Sequence, residues 1–97
     1  MDYERHGHTL TVRMRRDFNL MAVRHLKHHL DDATRIRIDL SGTRLVDTEA
    51  VMALYRLGRE GLTIRLLDPP DIFYEVLTVL ELESAFDLEE LVERRRA

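Results

Sequence analysis

The chain contains no cysteine and no tryptophan, only two prolines and four glycines in 97 residues, and Lys27 is its one lysine. Each scarcity excludes something. Without cysteine there is no disulfide staple, no thiol nucleophile and no thiolate-held metal. With so little proline and glycine, no linker or low-complexity tract divides the chain, and no internal repeat is visible. No apolar run approaches the roughly 20 residues that span a bilayer, and none follows the basic residues near the start. Neither a membrane helix nor a signal peptide is expected, so no direct membrane insertion, and the cytoplasm is the expected compartment. A glycine-rich phosphate loop, a Ser-His-Asp arrangement and a conventional metal motif are also missing. The expectation is therefore a protein that is not an enzyme and needs no cofactor or metal.

What is present suits a folded domain. The composition is 44% hydrophobic and 34% charged, which argues against disorder. The length leaves room for one core, so residues 1–97 are read as a single domain. A net charge of −3 gives no general reason to expect nucleic acid as a partner. Charge is unevenly spread: residues 1–48 hold nine Arg/Lys against seven Asp/Glu, giving +2, and residues 49–97 hold six against eleven, giving −5. Arginine suits bidentate contact with carboxylate or phosphate better than lysine, although base composition of the genome also explains the bias.

Hydrophobic spacing gives the elements. Tyr3 to His6 reads as a short strand with a turn at Gly7. Leu10, Val12 and Met14 then alternate with Thr9, Thr11, Arg13 and Arg15; Ile36, Ile38 and Leu40 with Arg35, Arg37 and Asp39; Leu62, Ile64 and Leu66 with Thr63 and Arg65. Helical spacing predicts a first helix over 20–30 with Leu20, Val23, Leu26 and Leu30 on one stripe. A second is predicted from near Glu49 to Gly61, with Val51, Leu54 and Leu57 or Gly58 inward. A third starts at Pro69–Pro70 and carries Ile72, Phe73, Val76, Leu77 and Leu80. A fourth is predicted over 88–96, acidic at its start and ending in Arg94–Arg95–Arg96, as the helix dipole favours.

The order β-β-α-β-α-β-α-(β)-α calls for a mostly parallel sheet of four or five strands with an antiparallel N-terminal strand. Strands buried on both faces would be continuously apolar, and these alternate. About four helices should therefore cover mainly one face. Right-handed crossovers on one side add each strand beyond the last, giving a two-layer βα superhelix. The other face would carry Arg13, Arg15, Arg35, Arg37 and Arg65, either as a solvated surface or as a surface for an acidic partner.

The segment Arg35-Ile-Arg-Ile-Asp-Leu-Ser-Gly-Thr-Arg-Leu-Val-Asp-Thr-Glu-Ala resembles the centre of a STAS domain, the family named for sulfate transporters and anti-sigma factor antagonists. Its usual pattern is a strand ending in Asp-Leu-Ser-Gly, an apolar pair, then Asp-Ser-Ser-Gly opening a helix. Asp39-Leu40-Ser41-Gly42, Leu45-Val46 and Asp47 match it. Leu10 to Asn19, Gly61 to Pro70 and Leu77 to Leu88 resemble flanking segments in the same order, so the likeness covers about 90 residues.

In single-domain members, the second serine of Asp-Ser-Ser-Gly is phosphorylated by an ATP-dependent anti-sigma kinase. By position, Thr48 stands for the first serine, Glu49 for the phosphorylated one and Ala50 for the glycine, so that acceptor is absent. The resemblance implies a non-catalytic module, an anti-anti-sigma factor regulating transcription by binding an anti-sigma factor or related ATP-binding kinase-like protein. The alternative it implies is the small STAS subunit of an ABC-type lipid transport complex, binding the transporter ATPase. Asp47, Thr48, Glu49 and Ala50 are the candidate regulatory region, and Asn19, Ser41, Gly42, Arg56 and Arg59 the candidate partner contacts. Asp47 or Thr48 also suits a plain helix cap. Asn19, which replaces the family's loop aspartate, would spare Glu49 a like charge. A metal reading of His25, His28 and His29 is weaker, because these residues fall opposite the apolar stripe. Tyr55 and Tyr74 read as core edge, and Glu89–Glu90 as solvated.

Overall fold

Alternation every second residue is realised as one sheet with a dry side and a wet side. In the computed structural model, residues 1–89 are described, with backbone alone for 87–89. The elements run β1 (Asp2–His6), β2 (Thr9–Arg13), α1 (Leu20–His28), β3 (Arg35–Asp39), α2 (Thr48–Arg59), β4 (Thr63–Leu67), α3 (Asp71–Val79) and β5 (Asp87–Glu89). The sheet has five strands in the order β1-β2-β3-β4-β5. β1 is antiparallel to β2 and every later pair is parallel. Gly7, at φ 62°, makes the turn between the first two, a left-handed conformation that costs glycine little.

Each parallel pair is joined by a helix, and neighbours in the chain are neighbours in the sheet. Leu10, Val12, Ile36, Ile38, Ile64 and Leu66 point to one side and are buried with Val23 and Leu26 of α1, Val51, Leu54 and Leu57 of α2, and Phe73, Val76 and Leu77 of α3. Their alternating partners are exposed or half-buried. The three helices among the described residues therefore cover one face, as the pattern predicts. None is long and apolar enough to cross a membrane.

Three details differ from the sequence reading. The fifth strand takes Asp87 to Glu89, so the predicted fourth helix does not begin at Leu88; edge pairing with β4, in register Leu66↔Leu88, wins over local helical spacing. The rest of that helix, with Glu90 and Arg94–Arg96, lies outside the described residues. The first helix stops at His28, because the chain turns there and Arg5 meets its end. The Arg5 guanidinium donates to the carbonyls of His29 at 3.2 Å and Leu30 at 2.7 Å, and pairs with Asp32 at 2.8 Å. Cationic donors at unpaired C-terminal carbonyls are favourable. Finally, Ile72 is 37% exposed, because one helical step from Phe73 turns it off the core.

The histidines sit on this same flank. His29 stacks on the Tyr3 ring, with centroids 3.8 Å apart, and its Nδ1 lies 2.9 Å from the His25 carbonyl. No group of three or more potential ligands converges on a metal position among the described residues. Burial pushes the Tyr3 phenol above its ordinary pKa. Tyr55 and Tyr74 are half-buried, and Tyr55 packs against the core.

The core is anchored by Phe18 and Phe73, both fully buried, with ring centroids 5.6 Å apart. Phe73→Ala is expected to cost about 3–5 kcal/mol of unfolding free energy, whereas Ile72→Ala should cost under about 1 kcal/mol. Urea denaturation of the two variants checks this contrast.

Candidate functional site

Two helices begin side by side at the same end of the sheet. The chain leaves β2 through Met14–Asn19 and leaves β3 through Leu40–Asp47, and these loops join. The Phe18 N–H donates to the Leu45 carbonyl at 2.8 Å, and the Asp47 N–H donates to the Phe18 carbonyl at 2.9 Å. Phe18 and Val46 thus form a one-residue parallel bridge, held to the core by the buried Phe18 ring. The residues that follow this pair, Asn19 and Asp47, are the caps of α1 and α2.

Both caps are made by side chains. Asn19 Oδ1 accepts from the Ala22 N–H at 2.9 Å, and Asp47 Oδ1 accepts from the Glu49 N–H at 3.0 Å. Each answers one of the N–H groups that a helix start leaves unpaired. The loop carrying Asn19 does approach the start of α2, as expected. Its side chain nonetheless has a local task at α1, and capping alone accounts for an amide there.

Exposure separates the candidate residues. Asp47, Thr48 and Glu49 are exposed, whereas Ala50 is completely buried. Ala50 therefore packs beneath the helix mouth and offers nothing to a partner. Among the described residues, the Glu49 carboxylate makes no hydrogen bond or ion pair; Glu49 takes part only through its backbone N–H. Beside the mouth stands Leu45, a large apolar side chain that is 63% exposed. At the start of α1 Met21 is 60% exposed. Sequence reasoning treated Leu45 as one of an apolar pair and passed over Met21; nothing in periodicity marks either as exposed.

Ser41 and Gly42 lie in the loop before α2. The Ser41 N–H donates to Asp39 Oδ1 at 2.9 Å, a local turn contact. A Cβ on Gly42 would stand 3.0 Å from the Met14 carbonyl, so a side chain there would crowd the loop after β2, whose backbone would have to give by a few tenths of an ångström. Thr43 is buried, and its hydroxyl has no hydrogen-bond partner among the described residues; it was not anticipated. Arg56 and Arg59 are both exposed on α2. Arg56 is two turns from Glu49 on the same face, about 10 Å along the axis, and Arg59 lies about 15 Å along it. Arg59 donates to the Tyr55 hydroxyl at 3.3 Å. The candidate residues thus divide into a helix mouth (Asp47–Glu49), a supporting loop (Ser41–Gly42) and an outer helix face (Arg56, Arg59).

No family model matches the chain, and no curated protein matches it. Solved structures do. The anti-sigma factor antagonist SpoIIAA in its unphosphorylated form is similar over 98% of this chain and 90% of its own, with a TM-score of 0.74 at 17% identity. A putative anti-sigma factor antagonist from Thermotoga maritima is similar over the same shares, with a TM-score of 0.73 at 13% identity. The chain has the fold of these proteins, which is the fold its STAS-like central segment implies.

Removing the α2 cap with Asp47→Ala should cost about 0.5–2 kcal/mol, and Asp47→Asn should recover most of it. Thermal or urea unfolding of the pair checks this; equal losses in both would assign the effect to charge instead of the hydrogen bond.

Proposed function

We propose that this chain is a non-catalytic interaction module of the anti-sigma factor antagonist type, which regulates transcription by binding an anti-sigma factor or related ATP-binding kinase-like protein. The observation that carries the reading is an exposed, unpaired Glu49 carboxylate at the mouth of α2, in the position where the STAS pattern has its phosphorylated serine. The shared fold with two anti-sigma factor antagonists supports it.

Capping does not account for Glu49. Asp47 already satisfies the N–H of residue 49, and the second acid adds only a dipole interaction of about 0.3–1 kcal/mol. What Glu49 adds is a fixed negative charge facing solvent. A phosphoserine would bring about −1.5 to −2 charge to this place, so Glu49 is a weaker, permanent counterpart. The partner is one that accepts an anion at the helix mouth. Leu45 gives the contact an apolar anchor, and Arg56 extends it along α2. Thr48 is a poor substitute acceptor, because a phosphate there would meet Asp47 and Glu49 on either side.

The test takes as partner an anti-sigma factor of the histidine-kinase-like ATPase type. Glu49→Gln should weaken binding about tenfold, equivalent to about 1.4 kcal/mol, measured by titration calorimetry. Intact mass after incubation with the ATPase and ATP should show no added phosphate on the wild-type chain and one on Glu49→Ser. Equal affinity of wild type and Glu49→Gln contradicts the reading, as does stoichiometric phosphate on Thr48 that abolishes binding.

A further inference from the structure

A cleft of about 810 Å³ lies between β1, the loop after β2 and α1, a volume usual for small-ligand sites. One side is open to solvent, so a ligand would fill its inner part. Met14 and Ala22, both buried, line it. So does Met21, a 60% exposed apolar side chain that the core does not use.

Three rings line the same cleft. Tyr3 and His29 are stacked, with 10° between their planes and centroids 3.8 Å apart. His29 and His25 are also nearly parallel, at 16°, but their centroids are 6.5 Å apart. Tyr3 and His25 make no ring contact with each other, so His29 stands between them. The gap between His29 and His25 is too wide for contact and slightly narrower than two layers at the Tyr3–His29 spacing. One further flat ring would complete the series once His25 swings outward a little. His29 is held in place: the Tyr3 ring backs it, and its Nδ1–H donates to the His25 carbonyl at 2.9 Å, because a carbonyl only accepts. His25 is free to swing. It is exposed, and its ring nitrogens have no partner among the described residues.

The charges beside the rings are of both signs. Arg15 is already held by Asp2 at 2.6 Å. Arg16 and Asp17 are exposed, line the cleft and make no side-chain hydrogen bond or ion pair among the described residues. A guanidinium without a partner suits a carboxylate, and a carboxylate without one suits an ammonium group. We propose that the cleft binds a free aromatic amino acid, with its ring between His29 and His25, its carboxylate at Arg16 and its ammonium group at Asp17. The Met21 thioether adds a polarizable contact for the ring, and parallel rings supply the stacking. A phosphorylated ligand is disfavoured, because Asp17 would repel a dianion. An aliphatic amino acid offers no flat group for the gap. The site is separate from Glu49 and does not depend on the class of protein partner.

The experiment is an NMR titration of the labelled full chain, following methionine methyl and histidine ring signals. The probes are L-tryptophan, tryptamine, indole-3-acetate, L-leucine and adenosine monophosphate at matched ionic strength. Saturable shifts at Met21, His25 and His29 are expected with L-tryptophan. Tryptamine, which lacks the carboxylate, and indole-3-acetate, which lacks the ammonium group, should each bind about tenfold more weakly. Arg16→Gln should weaken L-tryptophan about tenfold and leave tryptamine unchanged, and Asp17→Asn should weaken L-tryptophan while leaving indole-3-acetate unchanged. A role in folding alone would not separate the probes in this way. His25→Ala should weaken L-tryptophan about fivefold, while His28→Ala, outside the cleft, should not alter it. Shifts that grow linearly without saturating overturn the proposal, as does His25→Ala or Arg16→Gln without effect on L-tryptophan. Binding of tryptamine, indole-3-acetate, L-leucine or adenosine monophosphate as tight as that of L-tryptophan overturns it too.

Discussion

Two hydrogen bonds between the loops after β2 and β3 decide where the starts of α1 and α2, and with them the candidate residues Asp47 to Glu49, stand. They pair Phe18 with Val46, and because Phe18 is buried against Phe73, the pair cannot drift from the core. The next residue on each strand of this bridge is a helix cap. The starts of α1 and α2 are thus set side by side by one short piece of parallel pairing that extends beyond the regular sheet. Glycine at 42 lets the two loops come close enough for this, since a Cβ there would press on the Met14 carbonyl.

This arrangement separates two tasks that sequence alone merges. An acid-rich helix start is expected for stability, and Asp47-Thr48-Glu49 looks like one such start. In three dimensions Asp47 carries out the capping, Ala50 fills the core beneath, and Glu49 is left with its charge in water. Residues needed for the helix and the residue free to meet a partner therefore alternate within four positions. The exposed Leu45 beside them adds apolar surface that the fold itself does not use. On the opposite face, the strands show a similar division: their inward residues make the core, and their outward residues are exposed or half-buried.

Much of the fold was legible because period-two and 3.6-residue spacings are enforced by burial. Val12, Ile36, Ile38, Leu54 and Leu66, all predicted inward, are fully buried. What was not legible depends on contacts between distant segments. The Arg5 guanidinium at the end of α1, the bridge between Phe18 and Val46, and the β4 edge that draws Asp87–Glu89 into a strand all join residues far apart in the chain. Asn19 shows the same gap at the site: its type suggested charge relief toward Glu49, and its position makes it the cap of α1. The capping-type residues Asp47-Thr48-Glu49 placed the start of α2 correctly, but exposure, which distinguishes Glu49 from Ala50, is not written in the spacing.

If the loop bridge is the element that fixes the helix mouth, its amides should be as slow to exchange as the core. Native-state hydrogen exchange read at Phe18 and Asp47 measures this directly. Protection comparable to that of Leu54 in the middle of α2 is the result expected, with both amides opening only when the whole molecule unfolds. Exchange at the rate of an exposed loop, while Leu54 stays protected, would contradict the account: the two helix starts would then move independently, and Glu49 would have no fixed place from which to be recognised.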